Sequence, residues 1–381
     1  MLTAINFLLR KLKTRENSMG LALSVVCLFC LSNNLKATAQ ITPDTTLPNN
    51  SVLTTDVLVK EALADLIEGG TIRDTNLFHS FLEFNVAEGS RVYFASPDGI
   101  ANILTRVTGN NLSQIFGTLG VDGGANLFLL NPNGIVFGEN ASLDVSGSFL
   151  ATTADSYIFE NGFAYSAVDP QAPPLPTINI PMGLQYGANP GNIIVLGTGN
   201  STGFADPSVN NYSLIKDFRP SGLQVGDGNT LALIGGNIAL DGGNLTAAEG
   251  HIELGSVQDG LVKLNSNDGV WQFDYQEVAG FQDIALVNAA SVEVSGNSSG
   301  TVNVHGQNIS LADASAILAN TSGDGTAGSI TLNGAESVKI TGVSQNEIPF
   351  VSVVSTDTTT GSTGAGADLN IETGYLLPVH N

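Results

Sequence analysis

The sequence predicts an all-β fold in which short strands wind into a solenoid, a parallel β-helix. Three observations predict it. Residues 127–153 alternate short apolar runs with tight turns, and residues 300–306 are repeated 28 positions later as residues 328–334. The composition is rich in glycine (44 residues) and low in charge (13%), yet 42% of the residues are hydrophobic. Repeats of this length in a β-rich chain are typical of solenoids, and the apolar residues suffice for a continuous core.

Individual residues predict the first strand and the first turn of the segment 127–153. Residues 128–130 are all apolar, which is typical of a strand buried on both faces. Pro132 has the φ angle that the second position of a β-turn requires, and the side chains of Asn131 and Asn133 hydrogen-bond readily to nearby backbone. Gly134 accepts the backbone geometry at the end of the turn. The residues therefore predict a buried strand followed by a tight corner.

The pattern then repeats along the same segment. Residues 135–137 predict a second strand and residues 138–141 a second turn. In the third strand Leu143 and Val145 alternate with polar residues, so one face of this strand is expected inside and the other outside. The segment thus has the period strand, corner, strand, corner.

The pentapeptide Asn-Pro-Asn-Gly-Ile at residues 131–135, with the matching residues 137–138 and 143–152, carries a family resemblance. It resembles the N-terminal secretion domain of two-partner secretion (TPS) exoproteins, the filamentous haemagglutinin family of Gram-negative bacteria. The similarity extends from about residue 50 to about residue 199. The resemblance implies a right-handed parallel β-helix with an N-terminal cap and extra-helical hairpins.

The family has two motifs, and the resemblance makes both candidate sites for secretion or transporter recognition. The later motif is Asn131, Pro132, Asn133, Gly134 and Ile135. The place of the earlier one, Asn-Pro-Asn-Leu, is taken by Asn110, Asn111 and Leu112, which follow Gly109 and lack the proline. Two interpretations of the later motif remain open at this stage: direct contact with a transporter, or a corner that simply has to fold.

The first 39 residues predict a cleaved signal peptide. Four basic residues lie within residues 10–15, an apolar stretch follows at residues 19–31, and Ala37-Thr38-Ala39 forms a cleavage site before Gln40. The apolar stretch is shorter than the ~20 residues that a membrane-spanning helix needs. We therefore expect cleavage between Ala39 and Gln40.

Cleavage changes both the cysteine content and the charge. Cys27 and Cys30 lie in the signal peptide, so the mature chain has no cysteine. It retains 8 Lys and Arg against 34 Asp and Glu, a net charge of −26. A chain without disulfides is compatible with export in an unfolded state through an oxidising periplasm. Eight scattered cations do not match a run of phosphates, which argues against nucleic acid as a partner.

The domain prediction places the secretion domain at residues 40–270 and further, truncated β-helix repeats at residues 271–381. Within the first domain, residues 168–190 hold six prolines, too many for a sheet interior. They predict an excursion over the outside of the body, in which Ile178, Ile180 and Leu184 alternate as in an edge strand. Residues 52–70 fit either a helix or strands. A third copy of the repeat opens at residues 367–372 and stops at the end of the chain, which indicates a shortened member of a longer array.

Three functions compete on this sequence. The first is a non-enzymatic, secreted, adhesin-type exoprotein at the cell surface or in the medium. For it the resemblance implies an outer-membrane β-barrel transporter of the Omp85 class, which binds through its periplasmic domains, and a host or cell-surface ligand. The second is a polysaccharide lyase or hydrolase on the same solenoid, and the third is a surface-architecture protein.

Patterns that resemble catalytic or metal sites are better explained as turns. Residues 199–203 and 296–300 match the G-x-S-x-G nucleophile elbow, but no helical pattern follows either of them. The four histidines lie far apart in the sequence, without companions at ligand spacing. The sequence therefore predicts no enzyme activity, no cofactor and no metal site, and we expect a monomer.

Overall fold

The computed structural model describes residues 40–160, 162–172, 181–201, 203–206, 211–215, 221–267, 269–342 and 351–378, which all lie in one compact unit. The predicted signal peptide up to Ala39, and residues 173–180 of the proline-rich excursion, lie outside the described residues. The described residues contain no helix long and apolar enough to cross a membrane.

The described secondary structure consists of β-strands. In chain order they are β1 (Gln40–Pro43), β2 (Ser51–Val59), β3 (Ala62–Gly69), β4 (Thr71–Arg73), β5 (Asn76–Asn85), β6 (Arg91–Ala95), β7 (Asn102–Val107), β8 (Ser113–Ile115), β9 (Thr118–Asp122), β10 (Asn126–Leu130), β11 (Ile135–Phe137), β12 (Ser142–Asp144), β13 (Phe149–Thr152), β14 (Ser156–Ile158), β15 (Ala164–Ser166), β16 (Gly183–Tyr186), β17 (Ile193–Leu196), β18 (Gly203–Asp206), β19 (Asn211–Ile215), β20 (Leu223–Gln224), β21 (Thr230–Gly235), β22 (Ile238–Asp241), β23 (Asn244–Thr246), β24 (His251–Asn267), β25 (Val270–Phe281), β26 (Ile284–Val287), β27 (Ser291–Glu293), β28 (Thr301–Leu311), β29 (Ala316–Leu318), β30 (Ser329–Ile340), β31 (Val353–Ser355) and β32 (Asp368–Pro378).

The strands stack in parallel on three faces. The first face runs through β5, β7, β10, β13, β21, β24, β28, β30 and β32. The second runs through β8, β11, β17, β22 and β26 and continues in the C-terminal ends of β28, β30 and β32. The third runs through β3, β6, β9 and β12 and then from β20 to β31. This arrangement is the predicted parallel β-helix, in which β5 and β6 lie in the first coil, β7–β9 form coil 2, β10–β12 form coil 3, and β13, β17 and β20 form coil 4.

The repeat and the strand buried on both faces are both confirmed. Val302 pairs with Ile330 at the predicted spacing of 28 residues, and Ile330 pairs in turn with Leu369 of the third copy. In β10, Leu127 and Leu129 point into the main core between the three faces. Phe128 and Leu130 point outward into a second apolar cluster. Alternation of side chains along the strand therefore supplies two cores at once.

The second apolar cluster lies under a sheet outside the β-helix. This sheet contains β14, β15, β16, the second half of β24, and β25. Its tyrosines hydrogen-bond to the first face: Tyr165 donates to His79 O (2.7 Å) and Tyr186 to Ile234 O (2.9 Å). Of the predicted edge strand, Ile178 and Ile180 lie outside the described residues. For Leu184 the prediction is wrong, because β16 pairs with β14 on one side and β24 on the other. The long hairpin of β24 and β25 provides the second partner.

The N-terminal end of the β-helix is covered by antiparallel strands. β1 and β4 pair with β5, and β2 pairs with β3 across a two-residue turn. Residues 52–70, which fit either a helix or strands, therefore form a hairpin. The covering strands give the first coil backbone partners that it would otherwise lack.

A histidine is buried where this cap meets the first coil. The His79 ring shares a hydrogen bond between Nδ1 and Ser51 Oγ (2.9 Å), while Nε2 has no partner. Phe94 lies against the ring, with 5.2 Å between ring centroids. Burial lowers the pKa of the imidazole to about 3, so the folded protein keeps it neutral in mild acid.

The depressed pKa of His79 predicts acid sensitivity. In the unfolded chain the imidazole titrates near 6.5, so below that pH unfolding takes up one proton at this residue. Its contribution to stability is complete above pH 6.5 and falls by about 1.4 kcal/mol per pH unit towards pH 3. We expect His79→Gln to reduce the loss of unfolding free energy between pH 7 and pH 5 by about 2 kcal/mol, measured by urea denaturation. An equal loss in variant and wild type would contradict this.

Candidate functional site

The pentapeptide at residues 131–135 forms the corner between β10 and β11. The backbone N–H of Asn133 donates to Asn131 Oδ1 (3.0 Å), and the N–H of Gly134 donates to Asn131 O (3.1 Å). Gly134 has φ +120°, and a Cβ there would lie 3.0 Å from Asn192 O in the next coil. Pro132 is half-buried and Ile135 lies in the main core. The predicted corner geometry is therefore present.

The corner is hydrogen-bonded to the region of the earlier motif in coil 2. Asn131 is fully buried, and its Nδ2 donates to Asn111 O and to Ser113 Oγ, both at 3.0 Å. Asn133 is exposed, and its Nδ2 donates to Gly109 O (2.8 Å). These two hydrogen bonds join residues that are 20 and 24 positions apart in the sequence. The two candidate motifs therefore lie directly one above the other in neighbouring coils.

The earlier motif itself is more exposed. Asn110 and Asn111 are exposed and Leu112 is half-buried. The side chain of Asn111 donates to Glu83 Oε1 (2.6 Å) in the first coil, so its amide points away from Asn131. Its backbone carbonyl, which any residue could supply, makes the contact with the later motif.

On its other side the corner contacts coil 4. The N–H of Gly191 donates to Pro132 O (2.9 Å), and the N–H of Ile135 donates to Asn192 O (3.0 Å). A Cβ at Gly191 would lie 2.4 Å from the Gly134 nitrogen, so only glycine fits there. The corner at residues 131–135 is therefore a spacer that is bonded on both sides.

Polar side chains continue this stack along the same corner of later coils. Asn237 donates through Nδ2 to Asn192 Oδ1 (3.2 Å), and the N–H of Asp283 donates to Asn237 Oδ1 (3.1 Å). Asn308 then donates to Asp283 Oδ1 (2.9 Å), and Ser337 to Asn308 Oδ1 (2.7 Å). This ladder was not predicted from the sequence. Its signal is the tripeptide Gly-Asn-Ile, which opens a strand at residues 191–193 and again at residues 236–238.

A second buried polar network, also missed from the sequence, centres on Arg106. The guanidinium is fully buried and donates to Ser80 Oγ (2.9 Å), Thr46 Oγ1 (2.8 Å) and the carbonyls of Ser166 (2.8 Å) and Gln171 (3.0 Å). It also lies 4.1 Å from the centre of the Tyr165 ring. One side chain thereby joins the N-terminal lead-in, the first face and the outer sheet.

Asp44 balances this buried cation through shared hydroxyl groups. Ser80 and Thr108 donate to Asp44 Oδ2 (2.6 and 2.7 Å), and Thr46 donates to Oδ1 (2.7 Å). Burial raises the pKa of Asp44, but the hydrogen bonds from these hydroxyls and from the Thr46 N–H outweigh it and hold the pKa below its usual value. Burial lowers the pKa of Arg106, while Tyr165 and Asp44 act in the opposite direction. The signal in the sequence was a single charged residue within β7, which also contains Ile103, Leu104 and Val107.

Comparison with known proteins decides what this β-helix is. Residues 39–304, more than two thirds of the chain, match the family model of the TPS secretion domain. The chain belongs to this family. TPS exoproteins are exported across the outer membrane to the cell surface or the extracellular space, and the secretion domain implies a dedicated outer-membrane transporter as its partner.

Two relatives are heme/hemopexin-binding proteins of Haemophilus influenzae. One, from strain Rd, is 38% identical over 79 residues, which are 21% of this chain and 8% of the relative. The other is 33% identical over 146 residues, which are 38% of this chain and 15% of the relative. This chain thus spans a small part of the length of both relatives.

Two solved secretion domains resemble the structure. The HMW1 secretion domain from Haemophilus influenzae has a TM-score of 0.46 at 15% identity, covering 87% of this chain and 100% of that one. The filamentous hemagglutinin secretion domain has a TM-score of 0.41 at 15% identity, covering 87% and 99%.

The TPS secretion domain also buries a group of ionisable side chains beneath β25. Glu253 is fully buried and accepts hydrogen bonds from Tyr275 (2.7 Å) and Asn303 (3.2 Å). His251 Nε2 lies 2.9 Å from Glu253 Oε2. Burial lowers the pKa of nearby His305, although Glu253 acts in the opposite direction. Within the described residues no set of three or more His, Cys, Asp or Glu side chains is placed to hold a metal ion. These groups instead fix the hairpin onto the first face.

Proposed function

We propose that this chain belongs to a non-enzymatic, adhesin-type exoprotein. Its transporter is an Omp85-class β-barrel whose periplasmic domains receive the secretion domain, and its eventual ligand is a host or cell surface. The match of residues 39–304 to the TPS secretion domain supports this proposal. A TPS domain directs export, and a β-helix lengthened by repeats gives an extended surface for adhesion.

The corner at residues 131–135 serves secretion by folding. One observation carries this step: Asn131, the first residue of the motif, is fully buried, and both oxygen and nitrogen of its amide bond to atoms within the domain. A side chain committed in this way is not free to bind a second protein. The motif sets the distance between coils 2, 3 and 4, so that each new coil stacks in register.

The positions of the sequence patterns that resemble catalytic motifs support a non-enzymatic role. Residues 296–300 lie in the loop that leads into β28, a strand, whereas a nucleophile elbow leads into a helix. The basic residues of the first coils serve the fold: Arg106 is buried in its network, and Lys60 is paired with Asp144 (2.7 Å). A lyase or hydrolase on this scaffold would need clustered carboxylates with a free cation nearby.

Expression with and without the candidate transporter tests this function. We expect a processed product that begins at Gln40 to reach the medium only when the transporter is present. Mass spectrometry of the released protein checks the new N-terminus, and a maltose-binding protein blot of the periplasm checks that the cells are intact. Accumulation in the periplasm regardless of the transporter would contradict the proposal.

A further inference from the structure

The first described residues of the chain are held in place by residues much further along it. We call residues 40–50 the strap and residues 164–171 the clasp. In the strap, β1 pairs with β5, and the N–H of Asp44 donates to Ser80 O (3.1 Å). The clasp consists of β15, in the outer sheet, and the chain that follows it. Arg106 in β7 is hydrogen-bonded to both segments.

The guanidinium of Arg106 divides its hydrogen bonds between the strap and the clasp. Nη2 donates to Thr46 Oγ1 (2.8 Å) in the strap, 60 positions earlier in the sequence. Nη1 donates to the carbonyls of Ser166 (2.8 Å) and Gln171 (3.0 Å) in the clasp, 60 and 65 positions later. The centre of the Tyr165 ring, also in the clasp, lies 4.1 Å from the guanidinium carbon. The clasp therefore supplies two of the hydrogen-bond acceptors of Arg106 and its aromatic partner.

The apolar side of the strap depends on the clasp in the same way. Leu47 is buried in the second apolar cluster, together with Phe78 of β5 and Tyr165 of the clasp. The Tyr165 ring packs edge-on against Phe78 (4.8 Å between ring centroids), and its hydroxyl donates to His79 O (2.7 Å). Without the clasp this part of the cluster would be open to water. Leu47 would then gain little by closing onto it, because the hydrophobic effect rewards only the apolar surface that is removed from water.

The buried charge of the strap also needs a fixed Arg106. Asp44 accepts hydrogen bonds from Ser80 and Thr108, and the hydroxyl of Ser80 in turn accepts one from Arg106 Nε (2.9 Å). A carboxylate is stable in a protein interior only when it is compensated by hydrogen bonds and a nearby cation. A guanidinium that the clasp has not fixed stays hydrated and gives less of this compensation. Ordering the strap also costs conformational entropy, which its contacts must exceed.

We propose that the strap is a conformational device that closes onto the β-helix only after the clasp has folded over Arg106. The first three coils stack first; the clasp then fixes the guanidinium and completes the apolar cluster, and the strap closes last. This inference rests on the proposed function and adds a control to it. The secretion domain reaches its closed form only when the chain up to Gln171 has left the transporter, so a partly exported chain keeps its strap open.

The order of folding is tested on the wild-type mature chain, refolded from urea and labelled by pulsed hydrogen exchange with mass spectrometry. We expect the amides of β7 and β10 to become protected first, and those of the strap never ahead of those of the clasp. Protection of the strap while the clasp still exchanges freely would overturn the inference. This measurement needs no substitution, so it decides the question even if a variant fails to fold.

Two tyrosines of the second apolar cluster test the coupling in the native state. Tyr165→Ala removes the ring that lies over Arg106, and we expect amide exchange of the strap to accelerate at least tenfold. The matched control is Tyr186→Ala, which removes a buried tyrosine of the same cluster whose hydrogen-bond partners are Thr152 and Ile234. It should leave exchange of the strap within twofold of wild type. Strap exchange as slow in Tyr165→Ala as in Tyr186→Ala would overturn the inference.

The outcomes separate this inference from the function on which it rests. Release of the wild type without the transporter would overturn the proposed function, whereas the order of folding of the purified chain would be unaffected. Transporter-dependent release, together with a strap that becomes protected ahead of the clasp, would overturn only the strap as a late-closing device. A strap that follows the clasp in the wild type and exchanges faster in Tyr165→Ala would support it.

Discussion

Ile135→Asp is expected to destabilise the secretion domain by about 4 kcal/mol or more and to stop its release into the medium. Ile135 is fully buried in the main core, where an aspartate loses its water without gaining a partner. Domains of ordinary stability have 5–15 kcal/mol in total, so this loss is a large part of the whole. Urea denaturation of the purified chain and an immunoblot of the medium measure the two effects.

The neighbouring residue supplies the control for Ile135→Asp. Val136 lies in the same strand, pairs with Gln114 and Ile194, and is only half-buried because its side chain points to the outside. We expect Val136→Asp to cost less than about 1 kcal/mol and to leave release intact. Normal release of Ile135→Asp would contradict the proposal that the corner at residues 131–135 serves secretion by folding.

Arg106→Ala is expected to cost about 3–5 kcal/mol, because it leaves buried acceptors and the Asp44 carboxylate without their cation. The four hydrogen bonds of the guanidinium reach residues as far apart as Thr46 and Gln171. Its loss should therefore loosen the outer sheet together with the cap. Urea denaturation measures the cost, and limited proteolysis should reveal new cleavage around β14 and β15.

Two further variants serve as controls for Arg106→Ala: one separates the charge of Arg106 from its shape, and the other removes a cation at an exposed position. Arg106→Lys keeps the charge but lacks the planar fork, so we expect a smaller loss than for alanine, yet a clear one. Lys263→Ala removes an exposed lysine paired with Glu277 and should leave the unfolding midpoint unchanged. Arg106→Ala with wild-type stability and protease resistance would show that the network is dispensable.

The parts of the fold that could be predicted from the sequence are those coded by neighbouring residues. The apolar run at residues 128–130 indicated a strand buried on both faces, and the repeat at residues 300–306 and 328–334 gave the register of β28 on β30. In both cases the pattern of residues spans only a few positions, and the strand that stacks on it in the next coil carries the same pattern. The turn chemistry of Asn131 and Gly134 likewise acts within five residues.

What could not be predicted depends on pairing between distant segments. β16 pairs with β24 more than 70 residues later, and Arg106 bonds to residues 60 and 65 positions away. No local sequence pattern indicates such contacts. The periodicity of β2 and β3 fitted both a helix and strands, because some of their apolar residues pack in the core and others are exposed at the tip of the hairpin. The hydrogen bond between the two motifs could not be predicted from the sequence, because its acceptor is a backbone carbonyl, which every residue type has.

The central claim is that the corner at residues 131–135 acts by folding. It is tested most directly by the affinity of the folded Asn131→Ala and Asn133→Ala variants for the transporter's periplasmic domains, measured beside their unfolding free energies. We expect Asn131→Ala to lose about 1–3 kcal/mol of stability because its partners stay buried, Asn133→Ala to lose less, and both folded proteins to bind like wild type. Tenfold weaker binding by Asn133→Ala at unchanged stability would contradict the claim, because the exposed asparagine would then be a contact.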